Sequence, residues 1–298
     1  MPEPLFINAP NLSDPAQKHR IAYVEYGDPM SEQVVICVHG LTRNASDFHF
    51  LAEALAQKGM RILTVDMAGR GHSPALSNPR DYSYLQYVAD CIALMDNFHL
   101  RSVDWIGTSM GGIIGQMIAA QHKGRIRRLV LNDIGTYIPA SALQFIVHYV
   151  EESLHAYPSR DAAEAQLRSN LQGFHITQSA HWEHVLAHGL YEKDGQWYFA
   201  CDAHILDAMR DESGNIPPVE AIDLAPLWEH IAIPVLVIRG EHSELLERET
   251  VSAMRASNPR CQAVEIPDAG HAPALFEPKD YQHVVRWLTA GHLPQGLV

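Results

Sequence analysis

The chain lacks any uninterrupted apolar stretch near the ~18 residues that a bilayer-spanning helix requires. Its start, MPEPLFINAP, has no basic segment ahead of an apolar core and no lipidation motif. A soluble, cytoplasmic protein with no membrane partner is therefore expected. Cysteine is scarce: Cys37, Cys91, Cys201 and Cys261 stand far apart with no C-x-x-C, which argues against a zinc site and against a disulfide framework. Basic residues are few as well. Lys and Arg number 22 against 35 Asp and Glu, a net charge of −13, so a phosphate backbone is repelled and nucleic acid is not an expected partner. No G-x-x-x-x-G-K-[ST] is present, and Gly69 and Gly71 lack a third glycine in register, so no organic cofactor is expected. Repeats, low-complexity tracts and charge blocks are missing, and no signature specifies an oligomeric state. The partner left is a small-molecule substrate.

What remains is a globular composition, 47% hydrophobic and 19% charged over 298 residues, long enough for a large buried core. Strand-like runs at 21–25, 34–38, 61–65, 103–106 and 126–131 alternate with helical patterns at 48–58, 85–98 and 112–122. The rhythm returns with strands at 235–239 and 263–266 and helices at 248–256 and 281–288. This alternation predicts an α/β fold with a mostly parallel central sheet flanked by helices. Residues 135–220 read as mainly helical, rich in His and aromatics and without a clear buried strand, bounded by Pro139 and by Pro217 and Pro218. The predicted organisation is a core of 1–134 and 221–298 with a helical lid inserted at 135–220.

Gly107, Thr108, Ser109, Met110 and Gly111 read G-x-S-x-G between an apolar run and a small-residue helix. A serine on such a turn is held in a strained backbone conformation that flanking glycines permit, so its hydroxyl stands clear of the sheet. Three further pieces fall at ends of predicted strands, where an open α/β sheet places its site. The run VVICVHGL ends in His39 and Gly40, so the backbone N–H groups of Leu41 and Met110 can point into one crevice as an oxyanion hole. His271, in DAGHAP, is the best placed of 18 histidines for a general base. The strand PVLVIRG is followed by Glu241, Glu244 and Glu247, any of which can orient the imidazole.

These segments resemble the α/β-hydrolase family with a helical lid, of the serine esterase and meta-cleavage-product hydrolase kind, over nearly the full length. GTSMGG resembles its nucleophile elbow, HGLTRN its oxyanion segment, DMAGRGHS its loop after the fourth strand, and RGEHSELL and GHAP its acid and histidine segments. The resemblance implies Ser109 as nucleophile, His271 as base, and Leu41 and Met110 as oxyanion donors. It implies Glu244, four residues beyond Gly240, as the acid that fixes the imidazole tautomer; Asp133, in LVLNDIG, and Glu241 are the alternatives. For Asp133 a loop-stabilising role stands beside the catalytic one.

The implied activity is hydrolysis of a small carboxylic ester through an acyl-enzyme intermediate. A carbon–carbon bond hydrolase of the meta-cleavage-product type, a lactone, thioester or amide hydrolase, and a ligand receptor on the same fold are the alternatives. Serine rather than aspartate at the elbow argues against haloalkane dehalogenase and epoxide hydrolase chemistry. Other residues are assigned quieter work. His39 is read with its ring bonded to backbone, and Asp66 as satisfying nearby N–H groups. Arg43 and Arg70 are read either as solvated surface arginines or as binders of an acidic substrate. His181, His184 and His188 share one helical face and are read as a polar lid face, without the spacing of a metal motif. Phe174, Trp182, Tyr191, Trp197, Tyr198 and Phe199 are expected both to line a pocket and to bury the lid on the sheet.

Overall fold

The computed structural model describes residues 1–291. Its strands are β1 (Leu5–Pro10), β2 (Lys18–Tyr26), β3 (Val34–Val38), β4 (Arg61–Asp66), β5 (Val103–Thr108), β6 (Ile126–Asn132), β7 (Tyr137–Ile138), β8 (Leu190–Lys193), β9 (Gln196–Phe199), β10 (Ile222–Asp223), β11 (Val235–Gly240) and β12 (Cys261–Ile266). Its helices are α1 (His49–Ala56), α2 (Tyr84–Asn97), α3 (Met110–Gln121), α4 (Ala140–Ser153), α5 (Arg160–Asn170), α6 (Ser179–Gly189), α7 (Ala225–Trp228), α8 (Arg248–Ser257) and α9 (Pro278–Ala290). None of these helices is long and apolar enough to cross a membrane.

β3, β4, β5 and β11 are buried at every position. Runs of this kind suit a sheet covered on both faces, and the alternation of side chains along each strand assigns them to two layers. Val34, Ile36, Val38, Trp105, Leu129 and Leu131 join α2 and α3 on one side, whereas Val35, Cys37, Ile106, Val130, Leu236 and Ile238 join α1 and α9 on the other. The eight-stranded sheet runs β1-β2-β4-β3-β5-β6-β11-β12. Only the β1–β2 and β2–β4 pairings are antiparallel. The edge strand β1 has no counterpart among the predicted elements; just Ile7 and Ala9 of its six residues are buried, which leaves a weak pattern. All four cysteines are buried and free.

Between β6 and β11 the chain departs from the sheet. β7 and β10 pair antiparallel, Ile138 opposite Ile222, and bring the two ends of this excursion together. Within it lie α4, α5 and α6, and also a β8–β9 hairpin absent from the predicted elements; each of its strands is buried at one position only, so the segment holds no buried strand of the sheet's kind. The hairpin's signal is Asp194-Gly195 at the tip, both with positive φ (52° and 75°), the dipeptide that two-residue hairpins favour. The core expected at 221–298 includes 292–298, which lie outside the described residues.

Candidate active site

β5 ends at Thr108 and α3 begins at Met110, so Ser109 takes the turn alone, at φ 50° and ψ −112°. That left-handed backbone costs a β-substituted residue about 1–3 kcal/mol and persists only where its surroundings hold it. Here Ser109 N–H donates to the Asn132 carbonyl (3.0 Å), and its own carbonyl accepts from Gly112 (2.8 Å) and Ile113 (3.1 Å). The buried Trp105 indole donates to the Gly111 carbonyl at 3.0 Å. A Cβ on Gly107 would stand 2.2 Å from Gly111 O, and one on Gly111 2.0 Å from Val38 O, so neither position admits a side chain without backbone movement.

His271 lies between β12 and α9. Its Nε2 is 3.1 Å from Ser109 Oγ, and its Nδ1 is 2.8 Å from Asp133 Oδ2. Asp133 is fully buried, at φ 54° just beyond β6. Its Oδ1 accepts the Gly240 N–H at 2.8 Å, and its Oδ2 also accepts the Ser243 hydroxyl at 2.5 Å. Three donors thus satisfy a carboxylate that water does not reach. The expectation that Glu244 orients the imidazole is corrected: Asp133 holds that place. The cause is sheet order, because β6 stands directly between β5 and β11, and its end faces the elbow. Glu244 is exposed at the wall of the adjoining cavity, and Glu241 accepts the Asp268 N–H at 3.1 Å instead. Asp133 also does the loop-stabilising work through Gly240. Ser243 was not among the expected residues, although a short hydroxyl three positions past Gly240 is what the Asp133 carboxylate needs there.

The His271 loop is tied from two sides. Asn132 Nδ2 donates to Thr108 Oγ1 (3.1 Å) and to the Pro273 carbonyl (2.9 Å), while Gly270 N–H donates to Gly173 O (2.7 Å) and Ala274 N–H to Phe174 O (3.1 Å). The N–H groups of Leu41 and Met110 have no acceptor among the described residues. His39 keeps a neutral ring, burial lowering its pKa to about 3, with Nδ1 2.6 Å from Gly40 O and Nε2 accepting from Met67 N–H at 3.0 Å. Asp66 accepts from Ala45 N–H (2.7 Å) and His72 N–H (2.9 Å), and burial raises its pKa. Arg43 and Arg70 are buried rather than solvated. Arg43 grips Asp47 through Nε (3.0 Å) and Nη2 (2.5 Å).

A cavity of about 510 Å³ opens over Ser109 and His271. Leu41, Arg43 and Leu245 of the core line it together with Phe145, Ile146, Tyr149, Leu167, Asn170, Phe174 and Phe199 of the inserted segment. Of the six aromatics singled out, Phe174 and Phe199 reach it. Trp182 instead donates to Ile176 O at 3.0 Å, and Tyr191 stacks on Tyr198 along the hairpin. His181, His184 and His188 do not form an outward polar face. His184 Nε2 lies 2.9 Å from Ser46 O with its ring stacked on His49, and His181 meets Phe50 edge-on, so these rings seat α6 on the core.

The chain matches the alpha/beta hydrolase fold family over residues 33–278 and belongs to it. It is 37% identical over 271 residues to the 3-hydroxybutyrate-oligomer hydrolase of Cupriavidus necator, covering 89% of this chain and 91% of that one. It is 26% identical over 259 residues to the sn-1-specific diacylglycerol lipase of Mus musculus, covering 84% and 79%. Among solved structures, an alpha/beta hydrolase from Novosphingobium aromaticivorans superposes with a TM-score of 0.82 at 31% identity, covering 97% and 99%. The protein is an α/β-hydrolase enzyme with ester hydrolases among its relatives.

Proposed function

We propose that the protein hydrolyses carboxylic esters through an acyl-enzyme, with Ser109 as nucleophile, His271 as proton carrier, Asp133 as its orienting acid and residues 135–220 as the lid. The observation that carries this reading is the unbroken path from Ser109 Oγ to His271 Nε2 at 3.1 Å and from His271 Nδ1 to Asp133 at 2.8 Å. Ser109 Oγ attacks the ester carbonyl while Nε2 takes the hydroxyl proton. Asp133 keeps the other ring proton on Nδ1 and stabilises the imidazolium. The carbonyl oxygen, now anionic, accepts from the Leu41 and Met110 N–H groups, which have no other acceptor among the described residues. Collapse expels the alcohol, protonated by Nε2. Water then attacks the acyl-enzyme with His271 as base and releases the acid.

The substrate class is a short hydroxyacid oligoester. Its support is the 37% identical oligomer hydrolase and a cavity in which the Ser169 hydroxyl and the Asn170 amide, whose Nδ2 is oriented by the Ser153 hydroxyl at 2.8 Å, stand among apolar side chains as polar partners for a second ester unit. The test compares kcat/KM on 3-hydroxybutyrate dimer and trimer, p-nitrophenyl butyrate and a long-chain diacylglycerol, for the wild type and Ser109→Ala. Turnover of the dimer or trimer at least about tenfold above the diacylglycerol, abolished in Ser109→Ala, is expected. Equal rates for the two proteins would sink the serine mechanism, and a preference for the diacylglycerol would sink the substrate class.

A further inference from the structure

Arg70 is fully buried, yet it makes no ion pair among the described residues. Its guanidinium is spent on neutral acceptors. Nε donates to the Leu41 carbonyl at 2.9 Å, Nη1 to the Ala68 carbonyl at 2.7 Å and the Tyr87 hydroxyl at 2.9 Å, and Nη2 lies 4.0 Å from Met110 Sδ. The charge meets no carboxylate, only the ring faces of Tyr82 (5.5 Å) and Tyr87 (5.2 Å), so its burial is compensated in part and a neutral side chain would fill this space at lower cost. The two residues at either end of the fork, Leu41 and Met110, are the two whose N–H groups were assigned to the oxyanion hole and have no acceptor among the described residues.

The loop that carries Arg70 is itself sewn to the inserted segment. Gly71 N–H donates to Ala200 O (2.9 Å), Asp202 N–H donates to Gly69 O (2.7 Å), and Arg70 pairs as a bridge with Cys201. Contacts therefore run from residues 200–202, just after the hairpin, through Arg70, to both walls of the place where negative charge develops. We propose that Arg70 is a positioning residue of the oxyanion hole: its planar fork fixes the Leu41 peptide and seats Met110, and its unpaired charge favours the anionic intermediate. This rests on the serine mechanism proposed above. A guanidinium can serve Leu41, Ala68 and Tyr87 at once because its donors lie in one rigid plane, whereas an ammonium at the same depth cannot.

The experiment uses the full chain with Arg70→Lys and Arg70→Met, a hydrolysable ester, a trifluoromethyl ketone of the same acyl group, and its unreactive amide isostere. The ketone adds to Ser109 and places an oxyanion in the hole; the amide binds without doing so. Both variants are expected to lose about 10- to 100-fold in kcat and a matching factor in ketone affinity, a step below the loss of an oxyanion donor itself. KM and amide affinity are expected to stay within about threefold, since ground-state binding does not use the hole. A folded variant with kcat and ketone affinity within about threefold of wild type overturns the proposal. So does an equal fall in ketone and amide affinity, which would mean a distorted cavity. Should Arg70→Met not fold, Arg70→Lys decides by the same criteria; should both fail, millimolar guanidinium restoring ketone binding and turnover to refolded Arg70→Ala supports the proposal, and its failure to do so overturns it. A wild type that turns over no ester and leaves Ser109 unlabelled by a fluorophosphonate marks failure of the serine mechanism instead.

Discussion

Replacing Asp133 by asparagine removes the carboxylate that meets His271 Nδ1 at 2.8 Å. The amide keeps the size of the side chain, and its oxygen still accepts the Gly240 N–H found at 2.8 Å. The other arm becomes a donor, facing the Ser243 hydroxyl and His271 Nδ1 where Oδ2 now accepts from both. The hydroxyl rotates to adapt, but the imidazole must move its proton to Nε2, the nitrogen 3.1 Å from Ser109 Oγ. A ring protonated there cannot take the serine proton. The loss expected is the one that a wrong imidazole tautomer causes in serine hydrolases, about 10³- to 10⁴-fold in kcat, or roughly 4–5.5 kcal/mol of transition-state stabilisation. Glu244→Ala removes an exposed carboxylate and is expected to leave kcat within about twofold. Initial rates on p-nitrophenyl butyrate, normalised to active sites by fluorophosphonate titration, measure both. Asp133→Asn retaining more than a tenth of wild-type kcat, or Glu244→Ala losing a hundredfold, would refute the assignment.

Ser243→Ala deletes one donor to a buried carboxylate and the bonds its hydroxyl accepts from Leu245 and Leu246 N–H; about 1–3 kcal/mol in denaturant unfolding and a several-fold fall in kcat are expected, and an unchanged midpoint would contradict this. Gly111→Ala places a Cβ 2.0 Å from Val38 O, so the variant should be insoluble or lose Ser109 labelling, and a soluble, labelled protein would argue against the elbow geometry. Acid should weaken the fold. The His39 ring is neutral when folded, with its pKa lowered from 6.5 to about 3 by burial, so the unfolded chain binds that proton first. Stability is complete above about pH 6.5 and declines as pH falls toward 3, by about 1.5–2 kcal/mol between pH 6.5 and 5 from this ring alone. A flat profile of unfolding free energy across that interval would count against it.

The sheet was legible because its strands carry their own evidence. VVICV and VLVIRG are apolar at almost every position, which only a doubly covered strand requires, and the helices between them repeat with the period of one buried stripe. The meeting of Ser109 and His271 was within reach of the sequence because glycine spacing and a strand-end position are local properties. The acid was not. Asp133 and Glu244 both follow a strand by a few residues, and which one meets the imidazole depends on the lateral order β5-β6-β11, a long-range fact. A second clue lay in Asp133 directly after Asn132, whose amide links β5 to the histidine loop. Arg70 was misjudged for a similar reason. A loop arginine looks solvated until residues 200–202, 130 positions away in sequence, close over it. In the inserted segment the hairpin turn Asp194-Gly195 was readable, but the three helices that precede it dominated the pattern.

The pairing of Ile138 with Ile222 and of Tyr137 with Asp223 leaves the two chain crossings of the insertion side by side, one cross-strand step of about 5 Å apart. Such a neck is a natural splice point: a short turn can replace everything beyond it, or another module can be grafted there, without altering the path of β6 or β11. New walls for the cavity can thus be acquired in a single recombination event. The graft is constrained where the insertion meets the core, since any newcomer must again supply backbone partners for Gly69 and Gly71, for the Asn44 amide, and for the Gly270 and Ala274 N–H groups of the histidine loop. Substrate range in this architecture can drift as long as those docking seams are inherited.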